Sequence, residues 1–94
     1  MGPTLNRVTI PEDVVSEILD GQAVVLNLRT GCYHTLNASG TRLWELLERD
    51  GDVETATQTL LAEYDTSEET LRADVDKVLS ELQERGLVLG GAAG

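Results

Sequence analysis

The stretch GCYHTLNASGTRLWELL, residues 31–47, contains the point where the chain changes from a strand pattern to a helix pattern. Upstream of Asn37 the apolar residues alternate, as they do in a half-buried strand. Downstream they recur every three to four residues, as in an amphipathic helix. The stretch also holds the only Cys, the only His and the only Trp of the chain. It therefore bears on the fold class and on whether these residues form a reactive site.

Three strands are predicted upstream of this point. VVSEIL (14–19) and AVVLNL (23–28) flank Asp20-Gly21, a pair typical of a tight hairpin turn, because the residues of such a turn need positive φ. A second turn at 29–31, with a glycine for its left-handed position, leads into CYHTL (32–36). We expect a three-stranded antiparallel meander with 32–36 at its edge.

Two helices are predicted next. The first begins after Asn37, which, like Ser39, can cap its N-terminus. Trp44 lies in its apolar stripe and is expected to anchor the core. The second helix spans 53–64, with Asp52 as its cap.

The third predicted helix, 67–85, is the longest. Thr66 and Glu69 have the spacing of a capping box, and Gly86 suits the C-terminal cap. Residues 87–89 can add a short last strand. Three strands followed by three helices indicate an α+β domain resembling a winged helix-turn-helix.

Length and charge restrict the function. The chain has 94 residues, which we assign to one domain (1–89) and a flexible tail (90–94). Its net charge is −10, and acidic residues outnumber basic ones within 67–85. Because a nucleic-acid-binding protein needs Lys and Arg to neutralise phosphates, we expect no nucleic-acid partner. A basic peptide or protein fits this charge better.

The rare residues do not indicate catalysis. Cys32 and His34 lie two residues apart, so on a strand they share a face with Leu36. That apolar face indicates a buried Cys and a half-buried His, while Tyr33 points the other way and is half-exposed. One Cys and one His make neither a disulfide nor a zinc site, so we expect no enzyme activity, no metal and no other cofactor.

Cysteine usage and hydropathy indicate the compartment. A lone Cys is typical of a reducing, cytoplasmic setting. The chain has no apolar run of the roughly 18 to 20 residues that a membrane span requires, so we expect no membrane partner. An edge strand beside an amphipathic helix instead favours recognition of an extended peptide by strand addition.

The motifs, taken in order, resemble the PqqD-like family over residues 14–89. They are T-G-x-Y-x-x-L-N at 30–37, G-x-x-x-W-x-L-L at 40–47, an acidic linker, and L-x-x-x-G-L-V at 82–88. The resemblance implies a recognition element for ribosomally made, post-translationally modified peptides. Such a domain binds the leader of a precursor peptide as an extra strand and delivers it to a modifying enzyme or a protease.

The resemblance also implies the binding residues. Matching the strand assigns leader binding to Cys32, Tyr33, His34, Thr35 and Leu36. Matching the helix position adds Leu71, Asp74, Val75, Val78 and Leu82. The departure from the family is His34, where relatives commonly have an aromatic residue such as Phe or Tyr.

Three functions remain open at this stage. The favoured one is a discrete lasso-peptide leader-binding protein that serves a transglutaminase-like leader peptidase. The alternative is a peptide chaperone for a radical-SAM enzyme. A winged-helix transcription regulator is a third, opposed by the acidic 67–85 segment. We expect the leader to lie in a groove between strand 32–36 and helix 67–85, and the helical face away from this groove to meet the partner enzyme.

Overall fold

The computed structural model describes residues 7–90. Its elements, in chain order, are β1 (Val8–Thr9), β2 (Val14–Leu19), β3 (Gln22–Asn27), β4 (Tyr33–Thr35), α1 (Ala38–Asp50), α2 (Val53–Glu63), α3 (Glu68–Glu84) and β5 (Leu89–Gly90). Strands β2, β3 and β4 form an antiparallel sheet in that order. The predicted α+β arrangement of a three-stranded meander and three helices is confirmed.

A second, two-stranded sheet was not predicted. It pairs β1 with β5, so that Val8 lies opposite Gly90. The predicted last strand at 87–89 is therefore observed two residues later, because Leu87 and Val88 are buried in the core instead. Gly90, which we assigned to the tail, is paired; residues 91–94 lie outside the described residues.

The β2–β3 turn follows the local signal. Asp20 and Gly21 both have positive φ, at 54° and 78°, as expected for a two-residue hairpin turn. The resulting register places Ala23 and Val25 on the face toward the helices, where both are fully buried. That face and the three helices enclose the core, in which Trp44 is 1% exposed. The prediction that Trp44 anchors the core is confirmed.

The caps of α3 confirm one prediction and correct another. The N-cap is Ser67, whose Oγ accepts a hydrogen bond from the backbone N–H of Thr70 at 3.2 Å. The predicted Thr66–Glu69 capping box is wrong by one position, because Thr66 lies one residue before the cap. At the other end, Gly86 has a φ of 71°, and the N–H of Leu87 donates to the Leu82 carbonyl at 2.8 Å. This is the predicted glycine C-terminus, in a Schellman arrangement.

Cys32 is exposed, so its predicted burial is wrong. Its backbone N–H donates to the Thr30 hydroxyl at 3.2 Å, and β4 begins only at Tyr33. Cys32 therefore lies just before β4, where its side chain is left exposed, whereas that of Leu36 is buried.

Candidate functional site

The outer edge of β4 presents backbone hydrogen-bonding groups. On the inner edge, the Cys32 carbonyl accepts from Asn27 N–H at 2.9 Å and Leu36 N–H donates to the Ala23 carbonyl at 2.8 Å. Because alternate residues of an antiparallel strand bond the same neighbour, Tyr33 and Thr35 direct their N–H and C=O groups away from β3. Strand β4 is the last strand of its sheet. These groups can therefore pair with an added strand.

The corner between β4 and α1 is rigidly held. The Thr41 hydroxyl accepts from the N–H of Ala23 at 2.7 Å and donates to the Leu36 carbonyl at 3.3 Å. Asn37 caps α1 by accepting from Gly40 N–H at 2.9 Å. A Cβ on Gly40 would lie 3.3 Å from the Leu36 side chain, so the glycine permits a close approach. These contacts set the direction in which the chain passes from the end of β4 into α1.

A buried polar side chain holds the other end of β4. The Asn27 amide donates from Nδ2 to the Gly86 carbonyl at 2.9 Å. Its Oδ1 accepts from the backbone N–H groups of Arg29 and Thr30 at 2.8 and 3.2 Å. The turn before β4 is thus joined to the end of α3, which sets the separation of strand and helix. Sequence analysis missed this role, although an Asn at an inward-facing strand position was a signal.

A pocket of about 280 Å³ lies beside the end of β4, between the first turn of α1, the end of α2 and α3. Four predicted site residues, Leu71, Asp74, Val75 and Val78, line it. The pocket also has lining residues that sequence analysis did not assign: Ser39, Gly40, Leu43, Leu60, Tyr64, Asp65 and Thr66. Of these only Gly40 gave a signal, as a glycine in a helix's first turn. Most of the lining residues are apolar, and the two charged ones, Asp65 and Asp74, are both carboxylates.

His34 connects β4 to α3. It lies opposite Val25 in the sheet, so its side chain points toward the helices. Its Nε2 is 3.3 Å from Oε1 of Glu81, and its side chain is 22% exposed, which confirms the predicted half-burial. The imidazole therefore contacts α3 and forms an ion pair with Glu81 when it is protonated.

The remaining predicted residues divide into two groups. Tyr33 and Thr35 lie on the free edge of β4, and the Tyr33 side chain is exposed. Leu36 and Leu82 are buried in the core and do not line the pocket. We call the free edge of β4, His34 and the pocket on α3 together the β4–α3 groove; His34 contacts α3, and no residue of β4 lines the pocket itself.

Ion pairs join the helices outside this groove. The Arg42 guanidinium is 2.7 Å from Glu63 and joins α1 to α2; its hydrogen bonds lower the pKa of the Glu63 carboxyl. Arg72 is 2.8 Å from Glu54 and joins α3 to α2. Hydrogen bonds from Arg72, and then from Gln58, lower the pKa of Glu54 from 4.5 to about 2. Arg72 is therefore directed toward α2, while Asp74 lines the pocket.

Within residues 7–90, no three His, Cys, Asp or Glu side chains are grouped so that they could share a metal ion. No helix in this part of the chain is both long enough and apolar enough to cross a membrane.

Comparisons with known proteins agree with the sequence motifs. The family described as Coenzyme PQQ synthesis protein D (PqqD) matches residues 22–88. In the structure of TbiB1 in complex with the TbiA(beta) leader peptide, the sequence of TbiB1 is 36% identical to that of this chain. The two structures have a TM-score of 0.81, and the match covers 92% of this chain and 99% of that chain. A lasso peptide synthetase B1 complexed with the leader peptide has the same fold at 22% identity, with a TM-score of 0.77 over 88% of this chain and 98% of that one. No curated protein sequence matches. On the family match over most of its length, the chain belongs to the PqqD family.

Proposed function

We propose that the chain binds the leader segment of a ribosomally made precursor peptide and delivers it to a leader peptidase in lasso-peptide biosynthesis. The free edge of β4 beside the pocket on α3 is the observation that carries this proposal. The 36%-identical TbiB1 structure, itself a complex with a leader peptide, supports it. The chain's role is to bind and present the peptide, and the chemistry belongs to the partner.

Backbone pairing supplies only part of the affinity. Tyr33 and Thr35 offer four backbone groups, which at about 1 kcal/mol each contribute about 4 kcal/mol. Micromolar binding needs roughly 8 kcal/mol. An apolar leader side chain inserted against Leu71, Val75 and Val78 supplies the remainder. Sequence specificity therefore resides in the pocket, and the edge strand accepts any extended segment.

Charge narrows the choice of leader further. The pocket carries Asp65 and Asp74, and the whole chain has a net charge of −10. A leader with Lys or Arg next to its apolar anchor fits this surface, and its association is faster at low salt.

A radical-SAM enzyme is the second candidate partner. The family's description as a coenzyme PQQ synthesis protein keeps it in consideration beside the peptidase. Binding of the leader-loaded chain to a purified transglutaminase-like peptidase or to a purified radical-SAM enzyme, each taken from the neighbouring genes, decides between the two.

The variant Thr35→Pro tests strand addition. Proline removes the N–H that Thr35 directs to the free edge and leaves the β3–β4 hydrogen bonds in place, so the sheet should survive. We expect the leader to bind about tenfold more weakly, through one lost hydrogen bond and the added ring. The matched control, Thr35→Ala, removes the side chain alone and should bind the leader normally.

Calorimetry and amide chemical shifts provide the measurements. A synthetic leader from the neighbouring precursor gene should shift the amides of 33–36 and of 71–82. If Thr35→Pro and Thr35→Ala bound the leader with equal affinity, strand addition at this edge would be contradicted. If the leader shifted no amide of the unmodified chain, leader binding itself would be refuted.

A further inference from the structure

The sheet face that points away from the helices is apolar. Val15, Leu26 and Tyr33 lie directly opposite one another across β2, β3 and β4. The exposed fractions of Val15 and Tyr33 are 45% and 64%. Val24 extends the cluster along β3, and Leu28 extends it beyond the end of that strand. We call Val15, Glu17, Val24, Leu26, Leu28 and Tyr33 the open sheet face.

This surface differs from the outer side of the helices. Antiparallel strands with one solvated face usually carry polar residues there. On this face Glu17, Gln22 and Thr35 are polar, but the other positions carry Val, Leu or Tyr, including the exposed Leu19. A contiguous apolar patch indicates an interaction site, while scattered apolar side chains do not. The outer sides of the helices instead carry ion pairs, such as Arg42–Glu63 and Arg72–Glu54. The apolar surface is therefore on the sheet, not on the helical face where we expected the enzyme to bind.

Charge argues against a second copy of the chain as the occupant. Glu17 lies in the row next to Val15, Leu26 and Tyr33, opposite Val24. Two such faces packed on each other would bury two carboxylates in one apolar interface, between chains that each have a net charge of −10. A surface with apolar side chains and a Lys or Arg opposite Glu17 has no such penalty.

We infer that the open sheet face docks the enzyme to which the leader is delivered, through an apolar surface that presents a cation to Glu17. This inference rests on the proposed function. Tyr33 joins the two surfaces, because its side chain lies on the open sheet face while its N–H and C=O groups point to the free edge. A docked enzyme therefore contacts the leader where it pairs with β4.

Strand addition also enlarges this face. Alternate side chains of an added strand point to the same side of the sheet as Tyr33. The enzyme then contacts the chain and the leader together, so it binds the loaded chain more tightly than the empty one. The coupling is reciprocal, and the enzyme strengthens leader binding by the same factor.

The pair Val15→Asp and Ile18→Asp tests the inference. Both residues lie on β2 and are similarly exposed, at 45% and 48%. Ile18 points to the opposite side of the sheet: it pairs with the inward Ala23, and Ser16 on that same side bonds to Glu48 of α1. Val15 is in the strand farthest from the leader edge. An aspartate at 15 should weaken binding of the purified leader peptidase at least about tenfold, because it buries an uncompensated charge.

Three measurements decide the outcome. Enzyme affinity, measured by calorimetry with and without leader, should fall for Val15→Asp and remain unchanged for Ile18→Asp; equal affinities for the two variants overturn the inference. A wild-type dimer in sedimentation that Val15→Asp dissociates assigns the face to a second copy and also overturns it. Leader affinity, measured without enzyme, should be the same in both variants. If the wild-type chain does not bind the leader, the proposed function is refuted, independently of the docking face.

Discussion

The two sides of α3 differ in how far other elements cover them. On one side, Leu79 and Leu82 are each 1% exposed and belong to the same buried cluster as Trp44. On the other, Asp74 and Val78 line an open pocket beside β4. The difference comes from what covers each side, since the first side is buried in the core and the second lines a pocket that α1 and the end of α2 leave open. Folding and peptide binding should therefore respond to different substitutions on the same helix.

The largest expected effect is on the core side. Leu79→Ala should lower the free energy of unfolding by about 2–5 kcal/mol, because it leaves a cavity in a filled core. Denaturant unfolding followed by circular dichroism measures this value. A loss below about 1 kcal/mol would show that the core side of α3 is no better packed than the groove side.

A smaller effect on stability, with a loss of binding, is expected on the groove side. Val78→Asp should weaken leader binding at least about tenfold, since it places a carboxylate in the apolar pocket, while the domain stays folded. The control Ala73→Asp adds the same charge at an exposed α3 position outside the pocket. Equal losses in both variants, in calorimetric titrations with a synthetic leader, would attribute the effect to net charge instead of to the pocket.

The smallest expected effect concerns the ion pair that joins α3 to α2. Because the folded-state pKa of Glu54 is lowered to about 2, its contribution to stability is present above 4.5 and is lost as the pH falls toward 2. Glu54→Gln should make the thermal midpoint less dependent on pH in this window and leave leader affinity at neutral pH unchanged. Glu12→Gln removes an exposed carboxylate that forms no ion pair within residues 7–90 and is the control. If the thermal midpoints of Glu54→Gln and Glu12→Gln depended on pH in the same way, the assigned role of the Glu54–Arg72 ion pair would be contradicted.

The predicted site residues occupy different positions in the structure, and their role in leader binding stays a prediction. Val78 and Asp74 were assigned to the groove, and both line the pocket. Leu82, assigned in the same way, is in the core, because the helical period identifies an apolar stripe but not which part of it is covered. Tyr64 and Asp65 were missed, since they reach the pocket from the end of α2 and no local pattern reports that approach.

By itself the sequence determined the order and type of the main elements. Asp20-Gly21, the change of period at Asn37 and Gly86 act over a few residues, where backbone sterics and side-chain spacing suffice. Only the tertiary structure decided which surfaces remain open. The β1–β5 pairing, the Asn27–Gly86 hydrogen bond and the pocket join residues far apart in the chain. The uncovered sheet face depends on where the helices pack, because apolar side chains in a strand fit a buried face and a docking face equally well.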